Sequence, residues 1–212
     1  MDFMCQINGL DKNNLTLVCA DHPGLGRSRP PEKEFKGHYK SDAEVLHKLM
    51  LKLGQKKYSV LGYSEGGRHA CWMASLFPEN VEKLILVSTS ATIESKEKRL
   101  FGLFLDIRTW DKDKRKIFEE IYGDQLQTIY NKWLYELSNL KAFIPNPILT
   151  TIKCPTLIMH GKRDSVLTPN HSFHLKMKIK NSKAFFFDTN HTLLQEQHRR
   201  ANQMIQQFLH EN

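Results

Sequence analysis

Leu61-Gly62-Tyr63-Ser64-Glu65-Gly66-Gly67 decides the reading of this chain. It follows a β-like run, Tyr58-Ser59-Val60-Leu61, and opens onto a helical pattern over residues 68–77. Gly-x-Ser-x-Gly between a strand and a helix is a nucleophile elbow, a turn so tight that small residues are expected at positions 62 and 66. Such a turn lifts the Ser64 hydroxyl out of the backbone above a helix N-terminus. A Gly-rich turn without chemistry is the bland alternative, and the strand before and helix after argue against it.

Outward from that turn, the pattern alternates. Leu15-Thr16-Leu17-Val18-Cys19-Ala20 is a continuous apolar run, expected to be a parallel strand covered on both faces. It runs into the Gly/Pro loop Asp21-His22-Pro23-Gly24-Leu25-Gly26-Arg27-Ser28. No dinucleotide fingerprint is present there, because its third glycine would fall at Arg29. Ser41 and Glu44 form a capping-box pattern for a helix presenting Val45, Leu46, Leu49, Met50 and Leu53 on one face and stopping at Gly54. After the elbow, Ala70, Cys71, Met73, Ala74 and Phe77 mark the inner face of a helix ended by Pro78, and Val81 to Val87 reads as the next strand. Strand and helix in alternation predict a doubly wound, mostly parallel sheet.

From Thr92 to Leu149 the periodicity is helical throughout, over 98–107, 112–122 and 125–140, with a break at Pro145 and Pro147. This is expected to be a helical lid, with Phe101, Phe104, Trp110, Phe118, Tyr122, Tyr130, Trp133 and Tyr135 as its core. The domain reading is therefore a first core part over 1–91, a lid over 92–149 and a second core part over 150–212. In the last part, Pro155-Thr156-Leu157-Ile158-Met159-His160 and Lys183-Ala184-Phe185-Phe186-Phe187 read as strands, with a helix from Asn170 and a closing helix over 193–209.

Composition bounds the function. The 212 residues are 40% hydrophobic and 25% charged, enough for a buried core in one domain. The net charge of +8 is dispersed in groups such as Lys112/Lys114/Arg115/Lys116 and Lys176/Lys178/Lys180/Lys183, which fits solvated helix faces. No nucleic-acid module accompanies it, and no apolar run approaches the ~20 residues of a membrane span. Neither a nucleic-acid nor a membrane partner is expected, and the chain is read as a monomer. Its start, Met1-Asp2-Phe3-Met4-Cys5, lacks signal and transit patterns, so the cytoplasm is the default, with mitochondria open if a longer form carries a transit peptide. Cys5, Cys19, Cys71 and Cys154 are scattered without CxxC spacing and read as buried free thiols. His171 and His174 have one-face helical spacing with no nearby carboxylate or thiol, so neither metal nor cofactor is expected.

Ser64, Asp164 and His191 each lie just past the C-terminal end of an expected strand, where loops of an open parallel sheet share one edge. Ser-Asp-His is a chain order suited to nucleophilic catalysis: His191 takes the serine proton, and Asp164 holds the imidazole tautomer. Asp188, three residues before His191, is a second candidate acid read as shaping the turn.

The set D21-H-P-G-L-G-R-S-R-P-P31, G62-Y-S-E-G-G67, H160-G-K-R-D164 and N190-H191 resembles the α/β-hydrolase family. More narrowly it is similar to the valacyclovir hydrolase, or biphenyl hydrolase-like, branch, with Ile107-Arg108, Trp110, Tyr122-Gly123 and Lys132-Trp133 in the matching lid positions. The resemblance implies a serine hydrolase of small carboxylic esters, and the branch implies esters of α-amino acids. It also implies that the acid after the nucleophile, Asp in the branch and Glu65 here, binds the substrate ammonium group. Family members carry earlier strands, a His-Gly loop supplying an oxyanion donor, and a further strand between residues 20 and 58. The resemblance therefore implies an N-terminally truncated fold in which the Glu65 backbone N–H serves the oxyanion hole. Two alternatives stay open: a catalytically weak or inactive α/β-hydrolase-fold protein, and thioester or carbon–carbon bond hydrolysis at the same site.

Overall fold

The computed structural model describes residues 3–140 and 142–211. Its centre is a parallel sheet of β1 (Tyr58–Tyr63), β2 (Val81–Val87), β3 (Thr156–Gly161) and β4 (Ser182–Phe187), in that spatial order among the described residues. β3 is buried along its whole length, as its apolar run requires of a strand covered on both faces. Alternation divides its side chains. Leu157 and Met159 join Ile85, Val87 and Phe187 in a core closed by Leu193, Leu194, Ala201, Ile205 and Phe208. His160, one residue on, faces the other way, toward Ser172.

The helices follow in chain order as α1 (Met4–Gly9), α2 (His38–Lys52), α3 (Glu65–Leu76), α4 (Ser95–Leu103), α5 (Lys112–Tyr122), α6 (Leu126–Asn139), α7 (Asn146–Thr150), α8 (Asn170–Lys178), α9 (Leu193–Glu196) and α10 (His198–His210). α3 packs on β1 and β2, and α8 on β3 and β4. Two compact units emerge: 1–20, 39–92 and 143–212 form one, and 21–38 with 93–142 form the other. The second unit is helical apart from its loops. Its aromatic rings meet as Trp110 edge-on to Phe118 and Tyr130, and Trp133 against Phe101 and Tyr130. Phe104, Phe118 and Tyr135, expected in the core of this unit, are exposed. Within this unit Tyr122 lies under the Arg29 guanidinium, and its hydroxyl accepts from the Gly26 N–H at 3.0 Å.

Several local expectations are corrected. Residues 15–20 form no strand, since a parallel strand exists only through a hydrogen-bonded neighbour and β1 has β2 alone among the described residues. Leu17 packs on the core while Val18 and Cys19 face solvent, so the run is covered on one side only and Cys19 is not buried. α2 begins at His38, three residues before the expected Ser41 cap, and it buries Tyr39, Asp42 and Ala43. Val45 and Leu53, expected inward, are exposed, because the buried stripe is centred on the residues flanking Asp42. The closing helix is broken at Gln197, whose ψ of 31° leaves the helical region between α9 and α10.

α10 is anchored at its end by a side chain from β2. Lys83 Nζ donates to the carbonyls of Phe208 and Leu209, each at 2.9 Å, and to that of Glu211. A helix C-terminus leaves such carbonyls without intrahelical partners, and a cation there also complements the helix dipole. Lys83→Met keeps the apolar stem and removes the donors. It is expected to destabilise the fold by about 2 kcal/mol, from charge-assisted hydrogen bonds lost at partly buried acceptors. Urea unfolding checks this, with a lower midpoint at unchanged slope.

Candidate active site

Ser64 follows the last residue of β1 and caps α3, with φ 51° and ψ −118°. A non-glycine residue with positive φ is strained, and the surroundings hold it there. Ser64 N–H donates to the Val87 carbonyl at 2.9 Å, and the Ser64 carbonyl accepts from Thr89 Oγ1 at 2.6 Å and Gly67 N–H at 3.1 Å. The glycine requirement differs from that expected. A Cβ on Gly62 would meet Gly66 O and Gly67 Cα at 2.5 Å, and one on Gly67 would meet Thr89 Oγ1 at the same distance. At Gly66 a Cβ meets nothing within 4 Å. Positions 62 and 67 thus need glycine for the close approach of strand, turn and helix, and position 66 does not.

The parallel register sets Tyr63, Val87 and Met159 in one row, so the loops beyond them open on one edge of the sheet. There the three expected residues meet. His191 Nε2 lies 3.0 Å from Ser64 Oγ, and His191 Nδ1 lies 2.8 Å from Asp164 Oδ2. The Asp164 carboxylate is inaccessible to solvent, while the His191 ring keeps 15% of its surface. Burial alone would raise the Asp164 pKa; hydrogen bonds from His160 and His191, the His191 charge and the Leu167 N–H outweigh it and hold the carboxyl below the usual range.

A serine on such an elbow, in reach of an imidazole backed by a buried carboxylate, is an arrangement for acyl transfer. The family model for the alpha/beta hydrolase fold matches residues 2–143. The chain belongs to the α/β-hydrolase family.

Among this α/β-hydrolase's relatives, Serine hydrolase BPHL of Mus musculus is 30% identical over 98% of the chain and 74% of the relative. Serine hydrolase BPHL of Homo sapiens is 30% identical over 86% of the chain and 65% of the relative. The likeness to the biphenyl hydrolase-like branch read from the motifs agrees with both. Among solved structures, NosK from Streptomyces actuosus superposes with a TM-score of 0.79 at 18% identity, covering 98% of this chain and 90% of that one. A meta-cleavage product hydrolase from Pseudomonas fluorescens gives 0.77 at 20% identity, covering 98% and 84%. These two share the fold.

In this α/β-hydrolase, Asp188 does not reach the imidazole. It pairs with Arg163 at 3.1 Å, and both side chains are largely exposed, so it shapes the turn. Asn190 has a role that sequence reading missed: its Oδ1 accepts from the His191 N–H at 2.9 Å and the Ser165 N–H at 3.0 Å, stitching the acid loop to the histidine loop. Its only signal in the sequence is adjacency to His191. Glu65, the first residue of α3, accepts from Tyr39 Oη at 3.1 Å through Oε1, and Tyr39 Oη accepts from Arg68 Nη1 at 2.9 Å. Arg68 is 2% exposed and lies 3.5 Å from the Phe143 ring centre, a buried cation held by a π face. Burial, then the Glu65 charge, raises the Tyr39 pKa against the opposing effect of Arg68, so the phenol stays a neutral donor. Among the described residues no helix is long and apolar enough to cross a membrane.

Proposed function

We propose that this chain is a serine hydrolase of small carboxylic esters, selective for α-amino-acid esters and working through an acyl-enzyme. The observation that carries the reading is the unbroken contact from Ser64 Oγ through His191 to Asp164, at 3.0 and 2.8 Å. Ser64 Oγ attacks the ester carbonyl carbon while His191 Nε2 takes its proton. The tetrahedral intermediate's oxyanion forms beside the Glu65 backbone N–H at the head of α3. Its collapse breaks the carbon–oxygen bond of the leaving alcohol, which receives the proton from His191. Water then attacks the acyl-Ser64 ester, giving its proton to His191 Nε2, and collapse releases the acid and restores Ser64.

The selectivity reading rests on Glu65 beside the nucleophile. Its carboxylate accepts from Tyr39 and would serve as the partner for a substrate ammonium group one carbon from the scissile carbonyl. Release of p-nitrophenol from valine and acetyl p-nitrophenyl esters tests both halves. The wild type is expected to favour the valine ester. Glu65→Gln removes the charge with little change of shape, and is expected to lower kcat/KM for the valine ester by roughly tenfold or more, as befits a charged hydrogen bond, while sparing the acetyl ester. Equal losses on both esters would deny Glu65 the ammonium role and leave the hydrolase reading standing.

A further inference from the structure

His160 is the part of the H160-G-K-R-D164 motif that the reaction above does not use. We propose that His160 is a positioning residue for the reaction: a second imidazole, locked by Ser172, that holds the Asp164 carboxylate in register with His191. The proposal rests on the Ser64–His191–Asp164 reading.

His160 is fully buried at the end of β3. Its Nε2 lies 3.0 Å from the Leu167 carbonyl and 3.2 Å from Asp164 Oδ2, and its Nδ1 lies 2.7 Å from Ser172 Oγ. Both neighbours of Nε2 only accept hydrogen bonds, so Nε2 carries the proton and shares it between them. Nδ1 is then a lone pair, and the Ser172 hydroxyl donates to it. One serine on α8 thereby satisfies the second nitrogen and fixes the plane of a ring that bears on the acid. Each hydrogen-bonding atom of the imidazole is satisfied, as burial demands.

Seen from Asp164, four donors converge on two oxygens. Oδ1 accepts from the Val166 and Leu167 N–H groups, each at 2.9 Å, while Oδ2 accepts from His191 Nδ1 and His160 Nε2. A carboxylate offers about four lone-pair sites, so none is spare and rotation about the Cβ–Cγ bond breaks bonds on both oxygens. Leu167 closes the loop twice, donating through its N–H to Asp164 and accepting through its carbonyl from His160. If loop closure were the whole purpose, an apolar side chain of similar volume would fill the space without a buried imidazole to satisfy. The ring's donation to the same oxygen that receives His191 gives it a direct bearing on the base. Hydrogen bonding from His160 is also among the causes that depress the Asp164 pKa.

The test compares His160→Phe, His160→Gln and Ser172→Ala in the full chain, on p-nitrophenyl acetate, with circular dichroism to establish folding. His160→Phe keeps a ring and removes the donor; kcat is expected to fall roughly 10- to 100-fold, the range for supporting residues around a reacting group, with KM held within about twofold. His160→Gln places an amide donor near the Nε2 position and is expected to recover most of that loss. Ser172→Ala removes the donor to Nδ1 and loosens the ring, and is expected to lower kcat by an intermediate factor, again at constant KM. The low-field proton resonance of the His191–Asp164 hydrogen bond is expected to broaden in His160→Phe and to return in His160→Gln. A folded His160→Phe with wild-type kcat and an unchanged resonance overturns the proposal. If that variant does not fold, Ser172→Ala with wild-type kcat overturns it instead. Should Ser64→Ala retain full turnover, the underlying reading fails; Ser64-dependent turnover with indifferent His160 and Ser172 variants fails this proposal alone.

Discussion

Ser64→Ala is expected to abolish ester turnover, lowering kcat by ~10⁶-fold, as removal of the nucleophile does when serine, histidine and acid act as a unit. The structure makes the change specific. Alanine keeps the Cβ that position 64 already carries at φ 51°, so the elbow's strain is no greater in the variant. The backbone bonds of Ser64 to Val87, Thr89 and Gly67 involve only its N–H and carbonyl, and they survive. The lost contact is the 3.0 Å approach of Oγ to His191 Nε2. Melting temperature is thus expected to stay within about a degree or two of wild type, as for a substitution with little effect on buried structure. Reaction with a serine-directed phosphonate, read by intact mass, checks the same point independently of turnover: one adduct on the wild type, none on the variant. Hydrolysis persisting at the wild-type rate in a folded variant would show that Ser64 is not the nucleophile.

Asp164→Asn is expected to lower kcat by ~10⁴-fold, through the tautomer of His191 rather than through lost space. Asp164 Oδ2 now accepts the His191 Nδ1 proton at 2.8 Å, which leaves Nε2 as the lone pair facing Ser64. Asn presents one acceptor and one NH₂ group. Oδ1 is committed to the Val166 and Leu167 N–H groups, so the amide nitrogen falls where Oδ2 was. It then confronts two ring nitrogens, His191 Nδ1 and His160 Nε2, that both carry protons in the wild type. Relief requires His191 to move its proton to Nε2, where it can no longer accept from Ser64. Kinetics on the acetyl ester check the size of the loss, and an unchanged rate would remove Asp164 from the mechanism.

The same carboxyl links pH to stability. Its folded pKa lies below its unfolded value, so the stabilisation from its ionised, hydrogen-bonded form is complete above the ordinary Asp range near ~4. It is lost as pH falls toward the depressed folded value, because the unfolded chain takes up the proton first. The stability gap between wild type and Asp164→Asn is therefore expected to narrow on acidification below about pH 4, and urea midpoints across that range measure it.

The elements that depend on nearest neighbours in sequence were legible from residue types alone. The elbow announces itself by Gly-x-Ser-x-Gly between an apolar strand and a helix, and β2, β3 and β4 by their runs of Val, Ile, Leu and Phe. Ser64, Asp164 and His191 could be named because each lies just past the end of such a strand, and parallel strands bring their ends to one edge whatever the loops between them do. Residues 15–20 show the limit. Their composition is that of a covered strand, but a strand is a relation between two segments, and a partner lies outside any local pattern. The tertiary structure alone decided that Gly67, not Gly66, is the glycine the turn cannot lose, since the obstacle is Thr89 from beyond β2. It alone placed Tyr39 on Glu65 with Arg68 behind Tyr39, and Ser172 behind His160 behind Asp164. Periods of 2 and 3.6 say which way a side chain points. The polar contacts that orient a catalytic group join residues far apart in sequence, and only folding sets those distances.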